Sequence, residues 1–136
     1  LHERFHRNYF IDDRITGLED ADERFLRKAK EIIDNHISDP DFKTESFSRH
    51  LGLSRSQLYR KLQGLANQSP SEFIRKLRLK HSLVLLGKGF DNIAQIAYQV
   101  GFSDPSYYAR CFRKLYGVSP SEYASGQRKP RTASSE

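Results

Sequence analysis

Arg60 and Arg110 have the side chains with the most specific chemistry in this 136-residue chain, and they lie fifty positions apart. A guanidinium group can donate two parallel hydrogen bonds to guanine O6 and N7 in the major groove of a DNA duplex. Each arginine follows a serine by four residues, Ser56 in the first case and Ser106 in the second. Residues four apart share a helix face, so each pair predicts a polar face that is suited to base edges. One such face alone is more often simply solvated, but two matched copies favour contact with bases.

The sequence around these arginines is duplicated. Gly52 corresponds to Gly101 at an offset of 49 residues, and the other matched positions have an offset of 50. Those positions pair Leu58, Arg60, Leu62, Ser69, Pro70, Ser71 and Glu72 with Tyr108, Arg110, Phe112, Ser119, Pro120, Ser121 and Glu122. The extra residue falls in the turn at 103–105, where an insertion is tolerated. Two copies are too few for a stacked repeat protein, so we expect a duplicated helix-turn-helix unit.

The elements that position the arginines follow from local patterns. Apolar residues at 93, 94, 96, 97 and 100 have helical spacing, and Gly101 suits a left-handed helix end. Ser103 or Asp104 can then cap a second helix, with Pro105 at its first position. The expected buried stripes of the two second helices are Leu58, Leu62 and Leu65, and Tyr108, Phe112 and Leu115. Their expected outward faces carry Ser56, Arg60 and Gln63, and Ser106, Arg110 and Arg113.

Four more helices complete the expected fold. Asp22 to Ser38 has one apolar stripe and ends before Pro40, and Thr44 can cap a short helix over 45–51. Capping boxes of the form Ser-Pro-Ser-Glu open a helix at about 70–86 and a last short helix after Ser119. The expected apolar side of the former carries Phe73, Ile74, Leu77, Val84 and Leu85. Seventeen residues at 1.5 Å each make the former about 25 Å long. A spacer of this length could place the two recognition helices about 34 Å apart, in successive major grooves.

Charge divides the chain into an acidic beginning and a basic body. The net charge is +6, of which residues 1–45 contribute −4 and residues 46–136 contribute +10. A basic body indicates a polyanionic partner. Arg75, Lys76, Arg78 and Lys80 on the spacer helix are candidates to meet phosphates, and we expect some of them to be solvated or paired instead.

No arrangement of residues typical of an enzyme or a metal site is present. The five histidines are dispersed, and neither metal-ligand spacing nor a glycine-rich phosphate loop occurs. Cys111, the single cysteine, lies beside a core stripe and is expected to be a packing residue. It fits a reducing cytoplasm, where we expect this chain to act. We therefore expect a protein that is not an enzyme and has no cofactor or metal.

The ends of the chain suggest a piece of a longer protein. It begins with Leu1 rather than Met, and we expect 1–21 to be a linker from a preceding domain. No apolar run is long enough to span a bilayer, so we expect no membrane contact by this segment. The DNA-binding region is expected over 22–124, with helix-turn-helix units at about 44–66 and 92–117. Residues 125–136 are expected to form a disordered basic tail.

The residues from about Glu23 to Tyr123 resemble the C-terminal DNA-binding domain of the AraC/XylS family of bacterial transcription regulators. The stretches that carry the resemblance are LGLSRSQLYRKL, SPSEFIRKLRL, IAQIAYQVGFSDPSYYARCFRKLYG and SPSEY. Three positions depart from the family pattern, namely Tyr108 where Phe is common, Ser82 where Ala is common, and Ser48 where a small apolar residue is usual. The acidic beginning, with DERFLRKAKEII and SDPDF, also resembles regulators in which this domain ends a hybrid two-component protein.

The resemblance implies an all-α fold of about seven helices, in which a long linker helix joins two homeodomain-like helix-turn-helix subdomains. It further implies a sequence-specific double-stranded DNA binder that regulates transcription through recognition helices at about 55–65 and 105–116. The implied base contacts are Ser56, Gln57, Tyr59, Arg60, Ser106, Tyr107 and Arg110. The expected DNA backbone contacts are Arg55, Lys61, Arg75, Arg113 and Lys114.

The expected partners are double-stranded DNA and RNA polymerase, and homodimerisation through upstream domains stays open. An alternative is a basic helical module that binds an acidic protein or RNA. Such a module would not need arginines at matching places in two units. Binding that depends on salt yet survives an excess of random DNA would favour specific readout over this alternative.

Overall fold

The computed structural model describes residues 20–89 and 92–126, and the regular elements within these ranges are α-helices. In chain order they are α1 (Ala21–Asn35), α2 (Thr44–Leu51), α3 (Arg55–Ala66), α4 (Pro70–Gly87), α5 (Ile93–Gln99), α6 (Pro105–Tyr116) and α7 (Pro120–Ser125). The expected all-α fold of about seven helices is thus confirmed over the described residues. None of these helices is both long and apolar enough to cross a bilayer. The predicted linker and tail lie outside the described ranges, except for residues 20–21 and 125–126.

The chain divides into two compact units, and the boundary falls inside α4, between Ile74 and Arg75. The described part of the first unit contains 20–36 and 42–74, with α1, α2, α3 and the first residues of α4. The second unit contains 37–41 and the described residues from 75 onward, with the rest of α4 and α5 to α7. Each unit therefore holds one helix-turn-helix pair.

The core of the first unit fixes the rotation of α3 about its own axis. Leu58 and Leu62 are completely buried, as their spacing predicted. From α2, Phe47 is also completely buried, and its ring stacks on that of Phe73 with centroids 6.2 Å apart and planes 7° apart. Burying two leucines on one side of α3 leaves the opposite side of the helix facing solvent.

The core of the second unit is rich in aromatic rings and fixes α6 in the same way. Tyr108 and Phe112 are completely buried, whereas Leu115 is only partly buried. Centroid distances are 5.2 Å from Phe102 to Tyr108, 5.9 Å from Tyr108 to Phe112, and 4.8 Å from Phe112 to Tyr116. Tilted ring pairs at such distances add attraction beyond the area that they bury. The polar face of α6 therefore also points outward.

The first helix differs from its prediction at both ends. It begins one residue early, at Ala21, because Asp20 and Glu23 form a capping box with hydrogen bonds of 2.8 and 3.1 Å. It ends at Asn35 rather than Ser38, and residues 37–41 belong to the second unit. There the guanidinium of Arg78 donates hydrogen bonds to the carbonyl oxygens of Ile37 and Asp39. The hydrogen bonds from Arg78 thus shape residues 37–41, although Arg78 lies about forty positions away in the chain. Helical spacing alone had assigned Ile37 and Ser38 to α1.

Two other local predictions, for Thr44 and Val84, were wrong in detail. Thr44 is the first residue of α2 rather than its cap, because Lys43 precedes the helix and its N–H donates to Ser46 Oγ. The residue after the cap of α5, Gly101, is left-handed with φ of +93°, as the sequence predicted. Val84, expected on the buried side of the spacer helix, is 57% exposed. The second unit instead buries α4 residues 79, 82 and 86, whose spacing defines a different face.

Candidate nucleic-acid interface

The turn before each recognition helix sets where that helix begins. Ser54 Oγ accepts a hydrogen bond from the Gln57 backbone N–H, and Gln57 Oε1 accepts one from the Ser54 N–H, at 3.1 and 2.8 Å. At the start of α6, Asp104 Oδ1 accepts from the Ser106 N–H at 2.9 Å, and Pro105 occupies the first helical position. These caps satisfy amide groups that would otherwise have no helical partner. The first turns of α3 and α6 therefore lie beside equivalent loops.

The structure places the seven predicted base contacts on exposed positions of α3 and α6. They are Ser56, Gln57, Tyr59, Arg60, Ser106, Tyr107 and Arg110. Tyr59 and Tyr107 are 48% and 42% exposed, whereas Phe47, Tyr108 and Phe112 are completely buried. Exposed tyrosine next to exposed arginine suits a surface that contacts a ligand. Each unit thus presents a polar and aromatic surface on its second helix.

In the first unit, the predicted residues border an open cleft of about 630 Å³. Arg55, Ser56, Tyr59 and Arg60 line it on the α3 side. The opposite side is formed by Thr44 at the start of α2 and by residues 69–71 at the start of α4. The fold thus brings four predicted contacts together with polar residues that were not predicted.

The starts of three helices, α2, α3 and α4, meet at this cleft. The dipole of a helix favours an anion at its N-terminus, although Glu45 and Glu72 in the first turns of α2 and α4 oppose this effect. Arg55 and Arg60 add two full positive charges to the cleft lining. Sequence reasoning missed Thr44 and Ser71 as contact candidates, although hydroxyl groups in the first turn of a helix are the available signal. The arrangement suits a polyanion that lies along the surface.

In the second unit, Tyr107 and Arg110 lie against each other on α6. The Arg110 Cζ atom is 5.7 Å from the centroid of the Tyr107 ring. The Tyr107 ring in turn lies 6.1 Å from that of Phe102, which is 6% exposed. Arg110 is therefore an exposed cation beside an aromatic ring that the core supports.

The predicted backbone contacts have different surroundings. Lys61 Nζ lies 5.0 Å above the Phe25 ring of α1, and Arg113 Nη1 lies 3.9 Å from Glu122 Oε1. Arg55 and Lys114 are exposed, whereas Arg75 is partly buried. Arg113 is exposed, and the Glu122 carboxylate keeps its hydrogen bond from the Ser119 N–H, so Arg113 is the mobile member of this ion pair.

Arg78 cannot meet phosphates, contrary to the expectation from its basic character. It is 6% exposed, and its guanidinium donates to the carbonyl oxygens of Ile37, Asp39 and Val100, the last two at 3.1 and 3.0 Å. Burial lowers the pKa of Arg78, and the nearby Asp39 carboxylate partly offsets that change. This arginine joins the 37–41 segment to the turn after α5. Lys76 and Lys80 on the same helix are exposed, and their contact with phosphates stays a prediction.

The described residues contain no group of three or more His, Cys, Asp or Glu side chains that could hold a metal ion. Cys111 is a free thiol, partly buried against the core of the second unit. Its environment fits the packing role that its position beside the core stripe predicted.

The profile of a helix-turn-helix domain family matches residues 47–126. Among curated proteins, the chain is 41% identical over 102 residues to "Histidine kinase P4" of Formosa agariphila, covering 75% of this chain and 7% of that protein. It is 32% identical over 101 residues to the arabinose operon regulatory protein of Escherichia coli, covering 74% of this chain and 35% of that protein. The chain thus spans about a third or less of these relatives.

Solved structures show the same architecture. The C-terminal domain of AraT, a response regulator from Geobacillus stearothermophilus, is 30% identical and superposes with a TM-score of 0.68, covering 76% of this chain and 85% of that chain. A transcriptional regulator with an AraC-type DNA-binding domain from Chromobacterium violaceum is 25% identical, with a TM-score of 0.70, covering 77% and 93%. The predicted resemblance is thereby confirmed by both sequence and fold.

Proposed function

This chain belongs to the AraC-type family of helix-turn-helix DNA-binding domains of transcription regulators, and from that premise we propose that α3 and α6 are its two recognition helices. In this proposal the two helices enter successive major grooves of double-stranded DNA. Ser56, Tyr59 and Arg60 read one groove segment, and Ser106 and Arg110 read the other. The observation that carries the proposal is the pair of arginines at equivalent, exposed positions of two duplicated units.

Phosphate contacts complete the proposed complex. The cleft beside α3 offers three helix starts and Arg55 to the DNA backbone, while Arg113 and Lys114 offer positive charge on α6. Contacts of this kind orient a protein on the duplex without reading its sequence. Gln57 has a smaller proposed role than the sequence predicted, because its amide oxygen already accepts from the Ser54 N–H. Bidentate recognition of adenine needs both that oxygen and the amide NH₂.

The test is selection of bound duplexes from a random pool, carried out with the wild-type chain and with Arg60→Ala and Arg110→Ala. We expect two enriched boxes about one helical turn apart. Each substitution should relax preference in one box only and cost about 1–3 kcal/mol of binding free energy at the selected site. An equal loss on all DNA would identify the arginines as phosphate contacts. Absence of any enrichment over random duplexes, together with equal binding to RNA, would favour the interaction-module alternative.

We also propose that this domain is the output end of a longer, signal-responsive regulator that acts on RNA polymerase in the cytoplasm. Support comes from its similarity to a small part of a protein named as a histidine kinase and to the C-terminal domain of a response regulator. In such a protein, upstream domains would dimerise the DNA-binding domain. We expect the longer protein to bind the selected site more tightly after phosphorylation, in a titration with and without a phosphodonor. An unchanged affinity and a monomeric longer protein would contradict this.

A further inference from the structure

Tyr107 and Arg110 are one helical turn apart on α6, and the guanidinium lies beside the tyrosine ring. The Arg110 Cζ atom is 5.7 Å from the ring centroid. A cation within about 6 Å of an aromatic face is attracted by the ring quadrupole, and the attraction is worth a factor of roughly two to five at exposed sites. This contact restricts the positions that a long and otherwise mobile side chain can take.

The Tyr107 ring is not free to follow Arg110, because the core supports it. Its centroid lies 6.1 Å from that of Phe102, with planes inclined at 54°. Phe102 is itself buried and lies 5.2 Å from the fully buried Tyr108. A continuous series of rings therefore runs from the core of the second unit to the guanidinium at its surface.

The first unit has no equivalent support for Arg60. The residue that corresponds to Tyr107 is Gln57, and its amide oxygen is held by the Ser54 N–H at 2.8 Å. Within residues 20–89 and 92–126, the cation–π pairs are Lys61 with Phe25 and Arg110 with Tyr107. Arg60 instead borders an open cleft. Duplication thus preserved the arginine in both units but not its surroundings.

We propose that Tyr107 is a positioning residue for Arg110, and that the second unit consequently discriminates its base pair more sharply than the first. This rests on the proposed readout of DNA by α6. A guanidinium forms both hydrogen bonds to guanine only when its plane is correctly oriented, and holding it beside a ring before binding reduces the entropy lost on binding. Arg60 must lose that freedom when it binds, so its discrimination should be weaker.

The experiment measures relative affinities for the selected duplex and for duplexes with each substitution at the base pair that Arg110→Ala affects. The variants are Tyr107→Phe, Tyr107→Leu, Arg110→Ala and the double variant Tyr107→Leu/Arg110→Ala. Tyr98→Leu is the matched control, since Tyr98 is another exposed tyrosine of the second unit, on α5, with 48% exposure. Affinity for random duplex and melting by circular dichroism are recorded for every variant.

We expect Tyr107→Leu to lower discrimination at that base pair about two- to fivefold, beyond any change in its affinity for random duplex and in its melting temperature. Tyr107→Phe, which keeps the ring, and Tyr98→Leu should retain the wild-type discrimination. The double variant should discriminate at that base pair as well as Arg110→Ala alone does, because Tyr107 acts through the arginine. Losses that add in the double variant would show that Tyr107 contacts DNA itself and would overturn the inference. Full discrimination by Tyr107→Leu would do the same and leave the proposed function intact. If the selection showed no base pair at which Arg110→Ala changes the preference, both the inference and the proposed readout by α6 would be overturned.

Discussion

Tyr108 places a hydroxyl group in the core of the second unit without a hydrogen-bond partner. The residue is completely buried, and its Oη atom has no partner among the described residues. Ser82 is close enough to affect its ionisation, but the Ser82 hydroxyl donates to the Leu79 carbonyl at 2.7 Å. Tyr108 and Ser82 are two of the three departures from the family pattern that the sequence showed. They are therefore neighbours, a relation that the sequence did not reveal.

Replacing Tyr108 by Phe should therefore stabilise the protein. A buried polar group without a partner carries an uncompensated desolvation cost, so we expect the free energy of unfolding to rise by up to about 1 kcal/mol. Urea denaturation followed by circular dichroism measures the change, with Tyr116→Phe as the control. A loss of more than about 1 kcal/mol would mean that the Tyr108 hydroxyl makes a hydrogen bond that the structure does not show.

Two buried tyrosines should make the protein sensitive to alkali. Burial raises the pKa of Tyr108 and that of Tyr116 to about 12, from the ordinary value of 10.0. Below pH 10 both the folded and the unfolded chain keep these protons, so the tyrosines do not alter stability with pH. Between pH 10 and 12 the unfolded chain loses protons that the folded chain retains, and the free energy of unfolding falls by roughly 2 kcal/mol per tyrosine.

The measurement is urea denaturation at several pH values from 8 to 11.5, for the wild-type chain and for Tyr108→Phe/Tyr116→Phe. Lysines and other groups titrate in both proteins, so the difference between the two curves isolates the tyrosines. We expect the double variant to lose stability less steeply above pH 10. Parallel curves would contradict the effect of burial on these two pKa values.

At the scale of elements, the two copies of the helix-turn-helix use their glycines differently. Gly52 and Gly101 follow the first helix of each pair, with φ of +70° and +93°. A Cβ at Gly52 would have open space, whereas one at Gly101 would collide with the Arg78 guanidinium and the Ile37 carbonyl oxygen. Only Gly101 is therefore required for packing as well as for its backbone conformation.

Replacing each of these glycines by alanine separates the cost of the left-handed backbone conformation from the cost of the lost packing space. Gly52→Ala should cost about 1 kcal/mol of unfolding free energy, which is the strain of the left-handed conformation. Gly101→Ala should cost about 3 kcal/mol or more, because the added methyl group also displaces the buried Arg78 from its carbonyl partners. Thermal and urea denaturation of the two variants measure this difference. Equal losses would show that the contact with Arg78 can relax at no cost.

At the scale of the whole molecule, DNA binding should depend steeply on salt. The described body of the chain presents exposed basic residues, and the sequence predicts five phosphate contacts, at Arg55, Lys61, Arg75, Arg113 and Lys114. Five contacts predict a slope of about −4.5 for the logarithm of the binding constant against that of salt concentration. Fluorescence anisotropy on random and selected duplexes between 50 and 300 mM salt, roughly the range in which such binding weakens, gives the slope.

One phosphate contact should be removable without loss of sequence preference. Arg55→Ala should reduce the magnitude of the slope by about 1 and weaken binding similarly on all duplexes. Arg27→Ala is the control, since Arg27 lies on α1, where it pairs with Glu31 at 4.0 Å. A change of base preference in Arg55→Ala would reassign that residue from the backbone to a base.

Local sequence signals were sufficient for most of the fold. Helical spacing predicted the buried leucines of α3, and the Ser-Pro-Ser-Glu boxes after both recognition helices form with Ser69–Glu72 and Ser119–Glu122 hydrogen bonds of 2.8–3.2 Å. Such features depend on residues three or four positions apart, which a single sequence displays directly. The exposed faces of α3 and α6 followed, because burying one side of a helix exposes the other.

The sequence by itself thus determined the type and order of the helices, the duplication of the unit and the faces that carry Arg60 and Arg110. Only the tertiary structure decided which charges are available at the surface. Arg78 and Arg110 are equally basic in the sequence, yet one is buried among backbone carbonyl oxygens and the other lies exposed beside Tyr107. The tertiary structure also decided that α1 ends early and that a cleft lies beside α3. The physical reason is that these features depend on contacts between residues distant in the chain, whereas helices, caps and stripes depend on near neighbours.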